Sequence, residues 1–103
     1  MEVEVLTVPN CPNAAPMVAQ VRQALDAVGL RDIEVTTRVI VDHEQAKRTA
    51  FTGSPTILID GHDPLAEPGR STGLACRVYQ TANGLAGIPD LERLQQALDT
   101  ART

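Results

Sequence analysis

A short turn between a strand pattern and a helix pattern constrains this chain most. Residues 2–8 alternate Glu and Val and then become uncharged and mostly apolar, which is typical of a strand that enters a covered sheet. From Met17 to Val28, apolar residues recur at spacings of three and four, which predicts an amphipathic helix with its apolar face on that sheet. The turn between the two patterns therefore places Cys11 at a helix N-terminus.

Cys11 is a candidate nucleophile because of that position. Backbone N–H groups and the positive end of a helix dipole favour the thiolate over the thiol, and the thiolate is the reactive form. Pro12 can shape the turn and Asn13 is a good N-cap residue, so both have structural roles that hold the thiol near the backbone amides. The alternative interpretation is a semi-buried cysteine without chemistry.

The remaining sequence predicts alternating strands and helices. Residues 33–41 are β-branched, and Asp42 with Gln45 resembles a capping box that begins a short helix through about Ala50. A right-handed crossover would make the first two strands parallel. The further elements expected are a third strand at 56–60, a fourth at 74–80, and a final helix from Pro89 or Asp90 with Leu91, Leu94, Ala97 and Leu98 inward. The prediction is one domain, residues 1–103, of the α/β class with a four-stranded mixed sheet and three helices.

Pro55 supplies a second signal, because it directly precedes the third strand, where a missing N–H is tolerated. With a Cys-Pro turn at 11–12, a Gly-Ser-Pro-Thr step at 53–56 and a Cys-Arg-x-Tyr segment at 76–79, nearly the whole chain resembles the thioredoxin-like superfamily. It is most similar to the small single-domain bacterial members, some of which are labelled alkylmercury lyase. The resemblance implies a β-α-β-α-β-β-α order and a catalytic Cys11.

The same resemblance implies the substrate contacts. A cis Ser54–Pro55 bond would lie beside Cys11 and leave the Ser54 backbone free to pair with a substrate strand. Pro12 and Asn13, next to Cys11, are expected to contact the substrate as well.

Two departures from the family pattern limit which of the family's mechanisms this chain can use. Dithiol members have a Cys-x-x-Cys motif, usually after an aromatic residue, and here Ala14 stands in place of the second cysteine and Asn10 in place of the aromatic. A dithiol cycle within the motif is impossible. What remains is a site in which Cys11 forms a mixed disulfide with a low-molecular-weight thiol or a cysteine-containing protein, without a cofactor.

Cys76 has two interpretations. At the start of a fourth strand it would lie about 10 to 15 Å from Cys11, across the sheet. Bridged Cα atoms lie within about 7 Å, so a direct disulfide would need backbone movement. A buried structural thiol is the favoured interpretation, and a distant resolving cysteine is the alternative.

Several classes of function are disfavoured. A net charge of −4 without a basic cluster and an aromatic content of 2% argue against nucleic acid. No leader pattern or membrane-spanning apolar run is present, which predicts a cytoplasmic protein with reduced thiols. No metal-ligand spacing appears, since His43 and His62 are isolated. Asp60 and Asp63 are interpreted as solvated turn residues.

Two other functions compete with thiol exchange. One is a non-catalytic binding module that uses the Ser54–Pro55 edge, or the long 62–73 loop, to bind a partner; that loop is equally consistent with a surface insertion. The other, which is less favoured, is capture of mercury or another soft ion, which requires Cys11 and Cys76 to meet.

Overall fold

The computed structural model describes residues 1–49, 51–67 and 72–102, and these form a small α/β protein with three helices and two sheets. The elements in chain order are β1 (Val3–Thr7), α1 (Ala14–Ala27), β2 (Val35–Val39), α2 (His43–Arg48), β3 (Thr56–Ile59), β4 (Tyr79–Thr81), β5 (Gly84–Ala86) and α3 (Leu91–Ala101).

The main sheet has three strands in the order β2-β1-β3. β2 is parallel to β1, as the crossover through α1 predicts, and β3 is antiparallel to β1. In this register Val5 lies between Thr37 and Ile57. β4 and β5 form a separate antiparallel hairpin, so the expected single four-stranded sheet is not observed.

The alternation in β1 divides the core between the two faces of the sheet. Val3 and Val5 face α1 and α3, where Met17 and other apolar side chains of α1 are fully buried, as predicted. Leu6 faces the opposite side and packs in a smaller cluster with Phe51 near α2. With so few rings in the chain, β-branched and aliphatic side chains supply most of this burial.

The helix boundaries follow their capping residues. The Asp42 side chain accepts a hydrogen bond from the Gln45 backbone at 2.7 Å, which confirms the capping interaction predicted for α2. That helix ends at Arg48, and Ala50 lies outside the described residues. Asp90 is the N-cap of α3. None of the helices in the described ranges is long and apolar enough to cross a membrane.

The fourth strand predicted at 74–80 is observed only at its end, in β4, and the connection before it is a crossover. The chain leaves β3 at Asp60. Because the Asp60 N–H donates to the Glu2 carbonyl, this exit lies at the end of the sheet where β1 starts. It returns at the other end, where Cys76 forms an isolated parallel bridge with Ser54. Parallel neighbours need a connection of a dozen or more residues, which explains why the 62–73 loop is too long for a hairpin. Residues 68–71 of that loop lie outside the described residues.

A buried ion pair fixes the crossover. The Arg77 side chain is fully buried and its Nη1 lies 2.6 Å from Oδ2 of Asp63, so Asp63 is not the solvated turn residue that was expected. Arg77 also donates to the Leu65 carbonyl at 2.6 Å and lies over the Tyr79 ring at 4.6 Å. Within the described residues its Nε is buried without a hydrogen-bond partner.

Gly53 makes room for this arginine. A Cβ at that position would lie 2.8 Å from the Arg77 Cβ, closer than real Cβ contacts allow, and its φ of +140° favours glycine. The glycine of the Gly-Ser-Pro-Thr step is therefore required by the packing of the crossover.

Candidate active site

Cys11 lies in the turn between β1 and α1, as predicted. Its side chain is half-buried, and its carbonyl accepts the Ala14 N–H at 3.2 Å in the turn that begins the helix. Asn10, the preceding residue, has a positive φ of 59°, a conformation that Asn adopts more readily than most residues. Cys11 is therefore held on a tight turn and is partly exposed to solvent.

The N-terminus of α1 differs from those of the other two helices. α2 and α3 carry Glu44 and Glu92 in their first turns, whereas α1 has no acidic residue there. Among the described residues, the backbone N–H groups of Asn13 and Ala15 have no hydrogen-bond acceptor. In the described residues, the first turn of α1 thus combines unpaired backbone N–H groups with no carboxylate, directly after the Cys11 turn, and helix N-termini of this kind attract negative charge.

Asn13 occupies the N-cap position, but it does not cap the helix through its side chain, which was the expected role. The side chain lies against Gly87 instead, so closely that a Cβ on Gly87 would overlap the Asn13 amide. This contact ties the Cys11 turn to the segment between β5 and α3. Pro12 is exposed beside the thiol.

Ser54 and Pro55 also lie at this end of the sheet, next to the chain that leads to Cys11. The Ser54 hydroxyl accepts the Val8 N–H at 3.1 Å, and the Ser54–Pro55 bond is cis, as the resemblance implied. However, the Ser54 N–H donates to the Ala75 carbonyl and its carbonyl accepts the Arg77 N–H, each at 3.0 Å. The expected free Ser54 backbone is therefore wrong: the returning crossover covers it.

Cys76 is exposed, so the favoured interpretation as a buried thiol is also wrong. Its bridge with Ser54 places it at the end of β1 that leads to Cys11, not at the opposite end of the sheet. In a parallel bridge one residue, here Ser54, uses both its N–H and its carbonyl. The N–H and carbonyl of the residue opposite, here Cys76, point away from it. The Cys76 N–H and carbonyl accordingly have no partner among the described residues.

The structure thus brings both cysteines to one end of the sheet, around the Ser54–Pro55 step, and both are free thiols. No group of three or more His, Cys, Asp or Glu side chains that could hold a metal ion is found in the described part of the chain.

Two contributors to the site were missed at the level of sequence. Gly87 is one of them: no local sequence pattern indicates that this glycine would contact the Asn13 side chain. Arg77 lies next to Cys76, and its burial anchors the segment that carries that thiol. Compared with known proteins, the chain matches no protein-family model, no curated protein and no solved structure.

Proposed function

We propose that this chain is a thiol–disulfide redox protein with a thioredoxin-like fold and Cys11 as its nucleophile. The observation that carries the proposal is the half-exposed Cys11 at a helix N-terminus that has no acidic residue in its first turn. The parallel β1-α1-β2 unit and the antiparallel β3 support the fold assignment.

The first step is attack of the Cys11 thiolate on a substrate disulfide. A new S–S bond forms between Cys11 and one substrate sulfur, the substrate S–S bond breaks, and the other substrate sulfur leaves as a thiolate that takes a proton from water. The backbone N–H groups of Asn13 and Ala15 are near enough in sequence to stabilise the attacking thiolate.

Cys76 resolves the mixed disulfide in this proposal. Its thiolate attacks the Cys11 sulfur of the mixed disulfide, the second substrate thiol leaves, and a Cys11–Cys76 disulfide remains. The substrate gains two electrons and the protein loses two, so an external low-molecular-weight thiol or dithiol protein must reduce the protein again. The support is the exposure of Cys76 and its placement at the Cys11 end of the sheet.

Glutathione disulfide is a direct probe of the first step. We expect the Cys76→Ser variant to form one glutathione adduct, located on Cys11 by peptide mass spectrometry, because Cys11 is the nucleophile. The matched Cys11→Ser variant should form little adduct over the same time, although its Cys76 is the more exposed thiol. Faster modification of Cys76 than of Cys11 would contradict the proposal.

A binding module is the second candidate, and one observation favours it. The crossover covers Ser54, the backbone that would pair with a substrate strand, and presents the unpaired Cys76 backbone instead. A module of this kind would bind an extended peptide at that edge without using the Cys11 thiol. Partner capture that is unchanged by Cys11→Ser, together with an unreactive Cys11, would favour it over the redox proposal.

A further inference from the structure

β2 is an open edge of the main sheet. Its backbone bonds to β1 through alternate residues, as shown by the Ile40 N–H donating to the Thr7 carbonyl at 2.7 Å, so the N–H and carbonyl groups of Val35 and Thr37 point outward. They have no partner among the described residues. Edge strands are usually blunted by Pro, charged side chains or a covering segment; β2 has no Pro or Lys, its one charged residue is Arg38, and no described segment pairs with its outer edge.

The two faces beside this edge differ in character. Between β2 and α1 lies a mainly apolar groove of about 830 Å³, lined by small and β-branched residues such as Ala15 and Val18, with Arg22 and Glu34 also in its lining. On the opposite face lies a groove of about 550 Å³ that collects four carboxylates and one arginine: Glu2, Glu4, Asp32, Glu34 and Arg38. A partner at this edge therefore meets apolar surface on one face, and on the other face a groove in which an arginine can pair with a carboxylate.

We propose that a second copy of this chain docks here, with the two β2 strands antiparallel about a twofold axis at Thr36. In this register Val35 of each copy exchanges backbone hydrogen bonds with Thr37 of the other. Glu34 of each copy then lies opposite Arg38 of the other, on the acidic face. The strand is thus self-complementary in its backbone hydrogen bonding, and each copy pairs one carboxylate, Glu34, with one arginine, Arg38, of the other.

The neighbouring twofold register, centred on Thr37, fits less well. It would require the Val39 carbonyl, which already accepts a hydrogen bond from the Gln45 side chain at 3.3 Å, and it would place Arg38 opposite Thr36. The Thr36 register does not use the Val39 carbonyl. It places Arg38 of each copy at the acidic groove of the other, and within its own copy Arg38 contacts Glu4 at 2.8 Å. It also brings the two apolar grooves together.

The register can be tested by exchanging the charges of Glu34 and Arg38 and measuring the dimer by sedimentation velocity. We expect the wild type to be a dimer at micromolar concentration, and Glu34→Arg and Arg38→Glu each to weaken the dimer at least about a hundredfold because like charges then face each other. The double variant should restore the dimer. Arg48→Glu, at an exposed arginine outside the edge, is the matched control and should remain dimeric.

Thr37→Pro gives an independent test, because it removes an outward N–H that the monomer does not use. Circular dichroism should show a folded chain, and sedimentation should show a monomer. A wild type that is monomeric at high micromolar concentration would overturn the proposal. So would a folded double charge variant that stays monomeric, or a wild type that is monomeric and binds a basic peptide at this edge.

Discussion

Replacing Asp63 by Asn is expected to lower the free energy of unfolding by about 3–5 kcal/mol, the usual cost of removing one partner of a buried ion pair. The Arg77 side chain is fully buried and the Asp63 side chain is 9% exposed, so water cannot replace the lost carboxylate. Asn can keep a bond to only one of the two groups that Asp63 now contacts, Arg77 and the Leu65 N–H. Small domains are stable by only about 5–15 kcal/mol, so this is a large fraction of the total.

Asp60→Asn is the matched control for this prediction. Asp60 begins the same crossover and its carboxylate also accepts a backbone N–H, that of Glu2 at 2.8 Å, but it is exposed. Asn also tolerates the positive φ of 52° at this position. Urea denaturation of both variants should show a large loss for Asp63→Asn and little change for Asp60→Asn. An equally small loss of stability in both variants would show that the burial of Arg77 does not require the Asp63 carboxylate.

The second large effect is expected from Cys76→Ser during turnover. With Cys76 present, a mixed disulfide between Cys11 and a disulfide-containing peptide should resolve to a Cys11–Cys76 disulfide and release the peptide thiol. With serine in its place, we expect the mixed disulfide to accumulate and its lifetime to increase by at least about tenfold, because no internal thiol is available. Non-reducing electrophoresis and intact mass measurement follow both species.

The control for this experiment is the double variant Cys11→Ser/Cys76→Ser, which should neither form the mixed disulfide nor release thiol. Equal lifetimes in the wild type and in Cys76→Ser would remove Cys76 from the mechanism. Cys11 would then act alone and depend on an external thiol.

The elements that could be predicted from sequence are those with local signals. The apolar face of α1, the Asp42 and Gln45 capping interaction and the position of Cys11 at a helix N-terminus all depend on residues a few positions apart. β1 and β2 could be placed side by side because a right-handed crossover is nearly obligatory for parallel strands. These local features are sufficient to locate the thiol.

The segment around Cys76 could not be predicted, because its burial pattern opposes its hydropathy. Cys76 and Val78 look like the inward face of a strand, yet both are exposed, and Arg77 and Tyr79 are buried instead. Arg77 can be buried only because Asp63 and the Leu65 carbonyl meet it, and that contact depends on the path of the crossover. No local pattern encodes such a contact.

The error over Ser54 has the same origin. A hairpin between β3 and the next strand would have left the Ser54 backbone open, whereas the observed crossover returns parallel to it and uses both of its hydrogen-bonding groups. The same return brings Cys76 to the Cys11 end of the sheet. One topological difference therefore changes both the substrate edge and the role that Cys76 can have.

The rate of alkylation of Cys11 at neutral pH, measured in Cys76→Ser, tests the central claim most directly. The same variant unfolded in urea is the reference, since it has the same thiol and flanking residues but no helix N-terminus. We predict that the folded protein reacts faster, on the order of tenfold, despite the partial burial of Cys11, because backbone N–H groups at a helix N-terminus stabilise a thiolate. A folded protein that reacts at the same rate or more slowly would contradict the account.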